Sequence, residues 1–194
     1  DGFSRITLVV TKDFGGGRVI LERRRAFVAE LEEMFQMYYD RVSLGREKVM
    51  LEYSTTIKND DFLASLRGSF ERDRILTYTT VGVHRDDLNL SLEGYPVKKL
   101  GSQGQKKSFL TALKLAQFAY LVKQKGVKPL LLLDDIFDKL DADRVSQIIR
   151  IVSSTDFGQV FVTDTNREHI DEILKQHAME YKIFHVEGGE VMNL

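Results

Sequence analysis

A run of four leucines followed by two aspartates, Leu130 to Asp135, constrains the fold of this chain more than any other feature. Four consecutive leucines are typical of a strand that is buried on both faces of a parallel sheet. Ligands of open α/β sheets bind beyond the carboxyl ends of such strands, where Asp134 and Asp135 stand. One carboxylate there can hold Mg²⁺ beside a nucleotide phosphate, and the other can orient or deprotonate an attacking water. The hexapeptide fits a core strand whose acids merely cap the next helix about equally well.

Composition limits the classes of function. The chain has 194 residues, enough for one large domain or two small ones. Its formal net charge is −1, so it has no global basic field that attracts DNA, and any nucleic-acid surface must be local. The absence of cysteine excludes disulfides and cysteine metal sites and fits a reducing compartment. No apolar run reaches about 18 residues and no signal peptide is visible, so we expect a cytoplasmic protein.

Residues 1–76 are predicted to form a mainly helical arm domain. Ile6 to Val10 is expected to be a short strand that ends at a glycine cluster. Apolar residues then recur at intervals of three, four and seven, which predicts one long amphipathic helix. Alternation from Val49 to Tyr53 predicts a strand, and Asn59 or Asp60 is expected to cap a second helix. The apolar stripe of the long helix consists of Ile20, Phe27, Leu31, Met34, Tyr38 and Val42.

Residues 77–194 are predicted to form an α/β lobe. Strands and helices alternate there, which favours a parallel sheet covered by helices. A Glu187-Gly188-Gly189-Glu190 turn is expected after the last long strand. The expected strands are Tyr78–Val83, Leu88–Leu92, Leu130–Leu133, Gln159–Val162 and Tyr181–Val186, and the expected helices run over Phe109–Tyr120, from Asp141 and from Thr165.

A serine-glycine loop, Ser102-Gln103-Gly104-Gln105, begins the helix that precedes the leucine strand. A helix N-terminus presents unpaired N–H groups and about half a positive charge, and serine and glycine add hydrogen-bond donors with little bulk. Such a loop can bind the terminal phosphate of a nucleotide. Taken alone, an ordinary serine N-cap beside a flexible glycine is the more common interpretation.

A third segment, Asp138-Lys139-Leu140-Asp141, follows the paired acids and would in isolation be an ordinary helix start. In this order, the three segments resemble the signature, Walker B and D-loop motifs of ABC/SMC-type ATPases. The closer resemblance is to the RecF family, which carries Gly-Ser-Gln-Gly-Gln, present here as Gly101 to Gln105, and Ala-Leu-Lys-Leu-Ala, present as Ala112 to Ala116. Its Gly-Pro-His-Arg-Asp-Asp-Leu stretch is present as Gly82 to Leu88, with Val83 in place of the proline.

The resemblance runs from Gly82 to Val186 and extends weakly to Arg18–Tyr39. It implies an α/β fold, namely an ABC/SMC-type ATPase head lobe with a mainly helical arm. It implies ATP and Mg²⁺ as cofactors, with Asp134 as the metal ligand and Asp135 as the catalytic carboxylate that polarises water. The switch position, which is often histidine in ABC proteins, falls near Thr163. Because no histidine occurs there, the resemblance assigns this role to Thr163 only weakly. The implied ATP-binding and interface residues are Ser102, Gln103, Gly104, Gln105, Asp141 and Thr163.

The resemblance also implies a biological role. Members of this family are expected to form an ATP-dependent homodimer in which each nucleotide lies between two subunits. They are expected to bind DNA, especially gapped duplex at single-strand junctions, in repair and recombination. The implied partners are RecO and RecR, with which the protein would help to load recombinase.

A P-loop is missing from this sequence. The pattern Gly-x-x-x-x-Gly-Lys-Ser/Thr does not occur, and Gly15-Gly16-Gly17-Arg18 lacks the Lys-Ser/Thr pair that would make it a phosphate loop. We therefore expect the chain to be the C-terminal part of a longer protein, with an incomplete nucleotide site. On this hypothesis, the chain alone hydrolyses no ATP.

Two alternatives stay open. One is a nucleotide-independent DNA-binding or scaffold module that retains the three motifs as packing elements. The other is a different ABC/SMC head, which is less favoured because no sustained heptads flank the signature segment. The charged stretch His84 to Asp87 could be mistaken for a metal or catalytic cluster, and solvated loop or interface charges are the favoured interpretation.

Overall fold

The computed structural model describes residues 2–135, 137–164 and 181–193. Five helices and seven strands occur in these ranges, with a short 3₁₀ turn at Val83–Arg85. The helices are α1 (Gly2–Ser43), α2 (Phe62–Leu76), α3 (Val97–Leu100), α4 (Gln103–Lys125) and α5 (Ala142–Val152). The strands are β1 (Val49–Ser54), β2 (Asp87–Leu92), β3 (Tyr95–Pro96), β4 (Leu131–Asp134), β5 (Val160–Thr163), β6 (Phe184–Glu187) and β7 (Glu190–Asn193).

Helix α1 begins much earlier than the sequence predicted. Residues Ile6 to Val10 are helical, so the predicted strand there is wrong, and the glycine cluster lies inside the same helix. A short apolar run does not distinguish a strand from a helix by its periodicity, which explains the error. Gly17 has a packing role, because a Cβ atom on it would lie 2.9 Å from Cε1 of Phe62. Glycine thus lets the start of α2 approach α1 closely.

The main core joins α1 to the helices and strands of the second half of the chain. The rings of Phe35 on α1 and Phe109 on α4 meet edge to face with centroids 4.6 Å apart. Val145 and Ile148 of α5 and Leu133 of β4 are buried in the same cluster. Apolar residues from both sides of the predicted boundary at residue 76 therefore share one core, and the division into an arm and a lobe stays a prediction.

The leucine strand is buried on one face only. Leu131 and Leu133 are 7% and 1% exposed, whereas Leu130 and Leu132 are both 63% exposed. The prediction of burial on both faces is therefore wrong for this chain. The reason is the size of the sheet: in the described ranges β4 pairs with β5 alone, and the shared core covers one side of the pair. The predicted parallel pairing is confirmed, with Leu133 opposite Val162.

Turn chemistry explains smaller differences. Asp61, rather than Asn59 or Asp60, caps α2, because its Oδ1 accepts a hydrogen bond of 2.9 Å from the N–H of Ala64. Tyr78–Val83 is not a strand, and Thr80 in this segment instead donates its N–H to Asp73 Oδ1 at 2.9 Å. Strands β1 and β2 pair in antiparallel fashion, and β6 and β7 form a hairpin at the predicted turn.

The helix predicted from Thr165 lies outside the described residues. None of the helices described here is long and apolar enough to cross a membrane.

Candidate functional site

The predicted signature loop is held by a capping box at the start of α4. Ser102 is the N-cap residue, and its Oγ accepts a hydrogen bond of 3.2 Å from the N–H of Gln105. In return, Gln105 Oε1 accepts a hydrogen bond of 2.9 Å from the N–H of Ser102. Ser102 and Gln103 are exposed. The ordinary N-cap interpretation of Ser102 thus describes its local structure, and it leaves the serine hydroxyl hydrogen available to a ligand.

Gly104 brings this loop against the predicted D-loop. A Cβ atom at Gly104 would lie 2.9 Å from the backbone carbonyl oxygen of Lys139. Any larger residue would push the two segments apart, since Cβ atoms essentially never approach backbone oxygens this closely. The glycine of the signature motif therefore has a steric reason within this chain, in addition to any contact with a nucleotide.

The two acids lie at the end of β4, beside Thr163 at the end of β5. Thr163 Oγ1 donates a hydrogen bond to Asp134 Oδ1 and accepts one of 3.2 Å from the N–H of Asp135. Asp135 has a φ of 46°, a left-handed conformation that aspartate tolerates better than most residues. Both aspartates are exposed, so water reaches both carboxylates. Thr163, the predicted switch position, thus contacts both acids.

Lys107 connects the acids to the signature helix. Its Nζ donates to the backbone carbonyl of Asp135 at 2.6 Å and lies 3.4 Å from Asp135 Oδ2. The same Nζ lies 3.7 Å from Asp138 Oδ2 in the D-loop. A hydrogen bond from Lys139, together with the charges of Lys139 and Lys107, lowers the pKa of Asp138. The sequence places Lys107 among the lysines that flank the signature loop, which could neutralise phosphates but for which a solvated face is the favoured interpretation.

Asp141 is the N-cap of α5. Its Oδ1 accepts a hydrogen bond of 2.9 Å from the N–H of Arg144, and its Oδ2 lies 3.2 Å from Arg144 Nε. Arg144 in turn pairs with Glu47, which accepts a hydrogen bond from Gln105. Sequence reasoning missed Glu47 and Arg144, because residues 97 positions apart leave no local pattern.

The structure therefore brings all three predicted motifs together. Gly104 contacts the D-loop, Lys107 contacts both the strand end and the D-loop, and Thr163 contacts both acids. For a cation, Asp134 is the candidate ligand. In the ranges the structure describes, no group of three or more histidine, cysteine or acidic side chains is placed to hold a metal. Mg²⁺ is commonly bound through one or two carboxylates together with substrate phosphates and water.

The stretch His84 to Asp87 lies apart from these contacts and has a structural role at Asp86. The Asp86 side chain is 1% exposed and lies 3.2 Å from Arg24 Nη1 of α1, and it accepts a hydrogen bond from the Tyr53 hydroxyl. Of the favoured interpretation, solvated loop or interface charges, the solvated part is therefore wrong for Asp86, because this nearly buried carboxylate joins α1 to β1.

Curated relatives resemble the chain over most of its length. The DNA replication and repair protein RecF of Bacteroides fragilis (strain YCH46) is 48% identical over 175 residues, covering 90% of this chain and 47% of that protein. RecF of Phocaeicola vulgatus is 51% identical over 176 residues, with the same two shares. The chain thus spans about half the length of the curated relatives it matches. No protein-family model matches it.

Solved structures show the same fold. The structure described as the recombination mediator protein RecF-ATP in the RecFOR pathway has a TM-score of 0.75 at 23% identity, covering 100% of this chain and 51% of that one. A structure from a study of ATP-driven dimerization and DNA-stimulated activation of SMC ATPases has a TM-score of 0.53 at 16% identity, covering 91% and 89%. The fold is therefore that of ABC-type heads. The chain belongs to the RecF family and corresponds to the C-terminal part of its members.

Proposed function

We propose that this chain supplies the signature, Walker B and D-loop part of an ATP-binding head in a DNA replication and repair protein. The observation that carries the proposal is the meeting of three separate motifs. Gly104 touches the carbonyl of Lys139, and Lys107, one turn further along α4, contacts Asp135 and Asp138. Three segments that are separate in the sequence therefore lie together at one place on the chain, which supports a shared function.

Each motif has a separate role in this proposal. The N-terminus of α4 and the Ser102 hydroxyl bind the terminal phosphate of ATP held by a second copy, because unpaired N–H groups there favour an anion. Gln103 adds an exposed polar side chain, and Gln105 acts by fixing the loop. Asp141 and the rest of the D-loop contact the second copy of the protein next to the signature loop. The resulting homodimer forms only when ATP lies between the subunits.

The strand end supplies the acidic groups. Asp134 would hold Mg²⁺, which when bound supplies positive charge that neutralises the phosphates. Asp135 would polarise the attacking water. The hydrogen bonds of Thr163 with the Asp134 carboxylate and the Asp135 N–H hold the two acids in a fixed arrangement. Since the sequence contains no P-loop, the proposed ATP hydrolysis requires residues from the rest of a RecF protein.

The names of the relatives and structural neighbours support a proposal about DNA and protein partners. The relatives are named as DNA replication and repair proteins, and the structural neighbours are described as members of the RecFOR pathway. We extend this role to the present protein: binding of gapped duplex at single-strand junctions, work with RecO and RecR, and help in loading recombinase.

Two substitutions of Ser102 test the phosphate contact in a full-length RecF protein that carries these residues. Asparagine and aspartate are nearly identical in shape and both cap helices well, so they differ chiefly in charge. We expect Ser102→Asn, which keeps a cap and a hydrogen-bond donor but loses the hydroxyl, to dimerise with Mg-ATP somewhat less readily than the wild-type protein. Ser102→Asp should need at least about tenfold more protein than Ser102→Asn, because its charge repels phosphate. Sedimentation measures the dimer. Equal dimerisation of the two variants would contradict the proposal.

One observation favours a second candidate, a nucleotide-independent DNA-binding or scaffold module. The side chains of Gln105 and Asp141 are both engaged in caps and ion pairs within the chain, as packing elements would be. Binding of the chain to duplex DNA without ATP, over a range of salt concentrations, tests this candidate. A steep salt dependence would favour the module, because neutralised phosphates release counterions.

A further inference from the structure

Glu47 lies at the centre of a polar network to which the proposed function assigns no role. It stands in the loop between α1 and β1, far in sequence from every predicted motif. Its Oε1 accepts hydrogen bonds from Gln105 Nε2 at 2.9 Å and from Arg144 Nη2 at 3.1 Å. Its Oε2 accepts a hydrogen bond of 2.6 Å from the hydroxyl of Tyr39. One carboxylate therefore contacts the signature loop, the helix after the D-loop and α1.

Arg144 extends the network back to the signature helix. Its Nη1 donates a hydrogen bond of 2.7 Å to Ser108 Oγ, and the Ser108 hydroxyl donates one of 2.9 Å to the carbonyl of Gly104. Its Nε lies 3.2 Å from Asp141 Oδ2. The Glu47–Arg144 pair thus joins the glycine of the signature loop to the cap of α5 through direct contacts.

Burial and charge make this pair sensitive to the loss of either partner. The side chains of Glu47 and Arg144 are 15% and 11% exposed. Burial alone raises the pKa of Glu47, but hydrogen bonds from Tyr39, Gln105 and Arg144 outweigh it, so the pKa is lowered. Burial acts to lower the pKa of Arg144, and the contact with Glu47 raises it above its ordinary value. Both groups are therefore charged at neutral pH. Removal of Arg144 leaves the largely desolvated Glu47 without its ion-pair partner, and removal of Glu47 leaves Arg144 paired with the more exposed Asp141.

Glu47 also determines which way the amide of Gln105 points. An ionised carboxylate only accepts hydrogen bonds, so the NH₂ group of Gln105 must face Glu47. The amide oxygen then faces the N–H of Ser102 and completes the capping box. If the amide were reversed, its NH₂ group would meet the N–H of Ser102, and two donors would face each other.

We propose that Glu47 is a positioning residue that holds the signature loop and the D-loop helix in one fixed arrangement, so that both meet a second copy of the protein as a unit. The inference rests on the proposed function, because it assigns the arrangement to ATP-dependent dimerisation. Groups that are held in place before association lose less conformational freedom when they bind. Without Glu47, Gln105 and Arg144 would each have to be ordered when the dimer forms.

The test compares three variants of a full-length RecF protein that carries these residues. Glu47→Ala removes every contact of the carboxylate. Glu47→Gln keeps an oxygen that can accept from Gln105 but loses the charge opposite Arg144. Arg46→Ala is the matched control: it breaks the Arg46–Asp143 ion pair of 3.1 Å, which joins the same loop to the same helix at an exposed position. This ion pair involves no residue of the signature loop.

Two readouts are needed for each variant. Amide hydrogen exchange over residues 101–106 reports the capping box, and sedimentation with Mg-ATP reports the dimer. We expect Glu47→Ala to speed exchange and raise the protein concentration for half-dimerisation by roughly tenfold each, which is about 1.4 kcal/mol. Binding of ATP to the monomer should stay within about twofold, because the hydrogen bonds of Glu47 go to Tyr39, Gln105 and Arg144 and not to the acids at the strand end. Glu47→Gln should fall between Glu47→Ala and the wild-type protein, and Arg46→Ala should match the wild type.

Each outcome decides a separate point. A folded Glu47→Ala variant with wild-type exchange and dimerisation overturns the inference, and so does an Arg46→Ala variant that loses as much as Glu47→Ala. If Glu47→Ala does not fold, Glu47→Gln decides alone, and wild-type values in both readouts overturn the inference. If the wild-type protein does not dimerise with Mg-ATP, the proposed function is wrong, whereas the exchange result still decides whether Glu47 holds the loop.

Discussion

The two sides of the candidate site are held in place by different means. On the signature side, both ends of the Gln105 amide are hydrogen-bonded, and the supporting Glu47–Arg144 pair is mostly buried. On the strand side, Asp134 and Asp135 are exposed, and the ion pair between Lys107 and Asp135 lies in contact with water. The signature side is held in place by desolvated charges. The acids of the strand side stand in water at the end of β4, whose Leu131 and Leu133 are buried in the core.

This difference indicates how each side can respond to a ligand. Exposed ion pairs contribute about 0–1 kcal/mol, so the contact of Lys107 with Asp135 is easily exchanged for another cation. The mostly buried Glu47–Arg144 pair resists such exchange, because each charge compensates the desolvation of the other. In this chain the signature side is thus shaped in advance, whereas the carboxylates of the strand side stay accessible to an added ion.

The largest effect is expected beneath the strand side. Leu133 is 1% exposed and Leu132, its neighbour on β4, is 63% exposed. We expect Leu133→Ala to lower the free energy of unfolding by about 2–5 kcal/mol, because it leaves a cavity in the core. Leu132→Ala should lower it by less than about 1 kcal/mol in the 194-residue chain. Urea denaturation followed by circular dichroism measures both.

The pair of leucines is its own control, because the two substitutions remove the same atoms from the same strand. Equal losses would contradict the description of β4 as a strand with one buried face. They would mean that the outer face, with Leu130 and Leu132, is covered as well.

The sequence predicted the parts of the site that depend on local patterns. Ser102 and Asp141 cap helices, as their positions before periodic segments indicated, and β4 and β5 are parallel. The hairpin of β6 and β7 follows directly from two consecutive glycines, Gly188 and Gly189, which both have positive φ. In each case the signal and the structure lie within a few residues of each other.

Features that depend on distant contacts could not be predicted in this way. The pairing of Glu47 with Arg144 arises only when the loop after α1 meets α5 in the folded chain, and one sequence contains no sign of it. The burial of the leucine run depends on how many strands and layers surround it, which the run itself does not encode. Ile6 to Val10 forms part of the 42-residue helix α1, although the composition of this short apolar run suits a strand equally well.

A smaller effect is expected on the signature side when the pH is lowered. The pKa of Glu47 is lowered in the folded protein, because hydrogen bonds from Tyr39, Gln105 and Arg144 outweigh burial. Its contribution to stability is therefore complete above the ordinary carboxyl pKa, about 4.3, and is lost as the pH falls through the lowered value. We expect this loss to be on the order of 1 kcal/mol.

The measurement is urea denaturation of the wild-type chain and of Glu47→Gln between about pH 6 and pH 3, a range that includes the ordinary glutamate pKa. Other carboxylates titrate equally in both proteins, so the difference between the two curves isolates Glu47. The wild-type protein should be the more stable near pH 6, and the difference should shrink as the pH falls. A difference that stays constant over this range would show that the charge of Glu47 does not contribute.

The smallest effect is expected for the ion pairs of the strand side. Lys107→Ala removes the contacts with Asp135 and Asp138, whose carboxylates are well exposed, and we expect it to change the free energy of unfolding by less than about 1 kcal/mol. Lys106→Ala, at the neighbouring position of α4, is the control. Salt should reduce the difference between the two variants, because exposed charges are screened. A loss of more than about 2 kcal/mol, unaffected by salt, would show that Lys107 fixes the strand end and is not readily displaced by a cation. The contrast between the two sides of the site would then disappear.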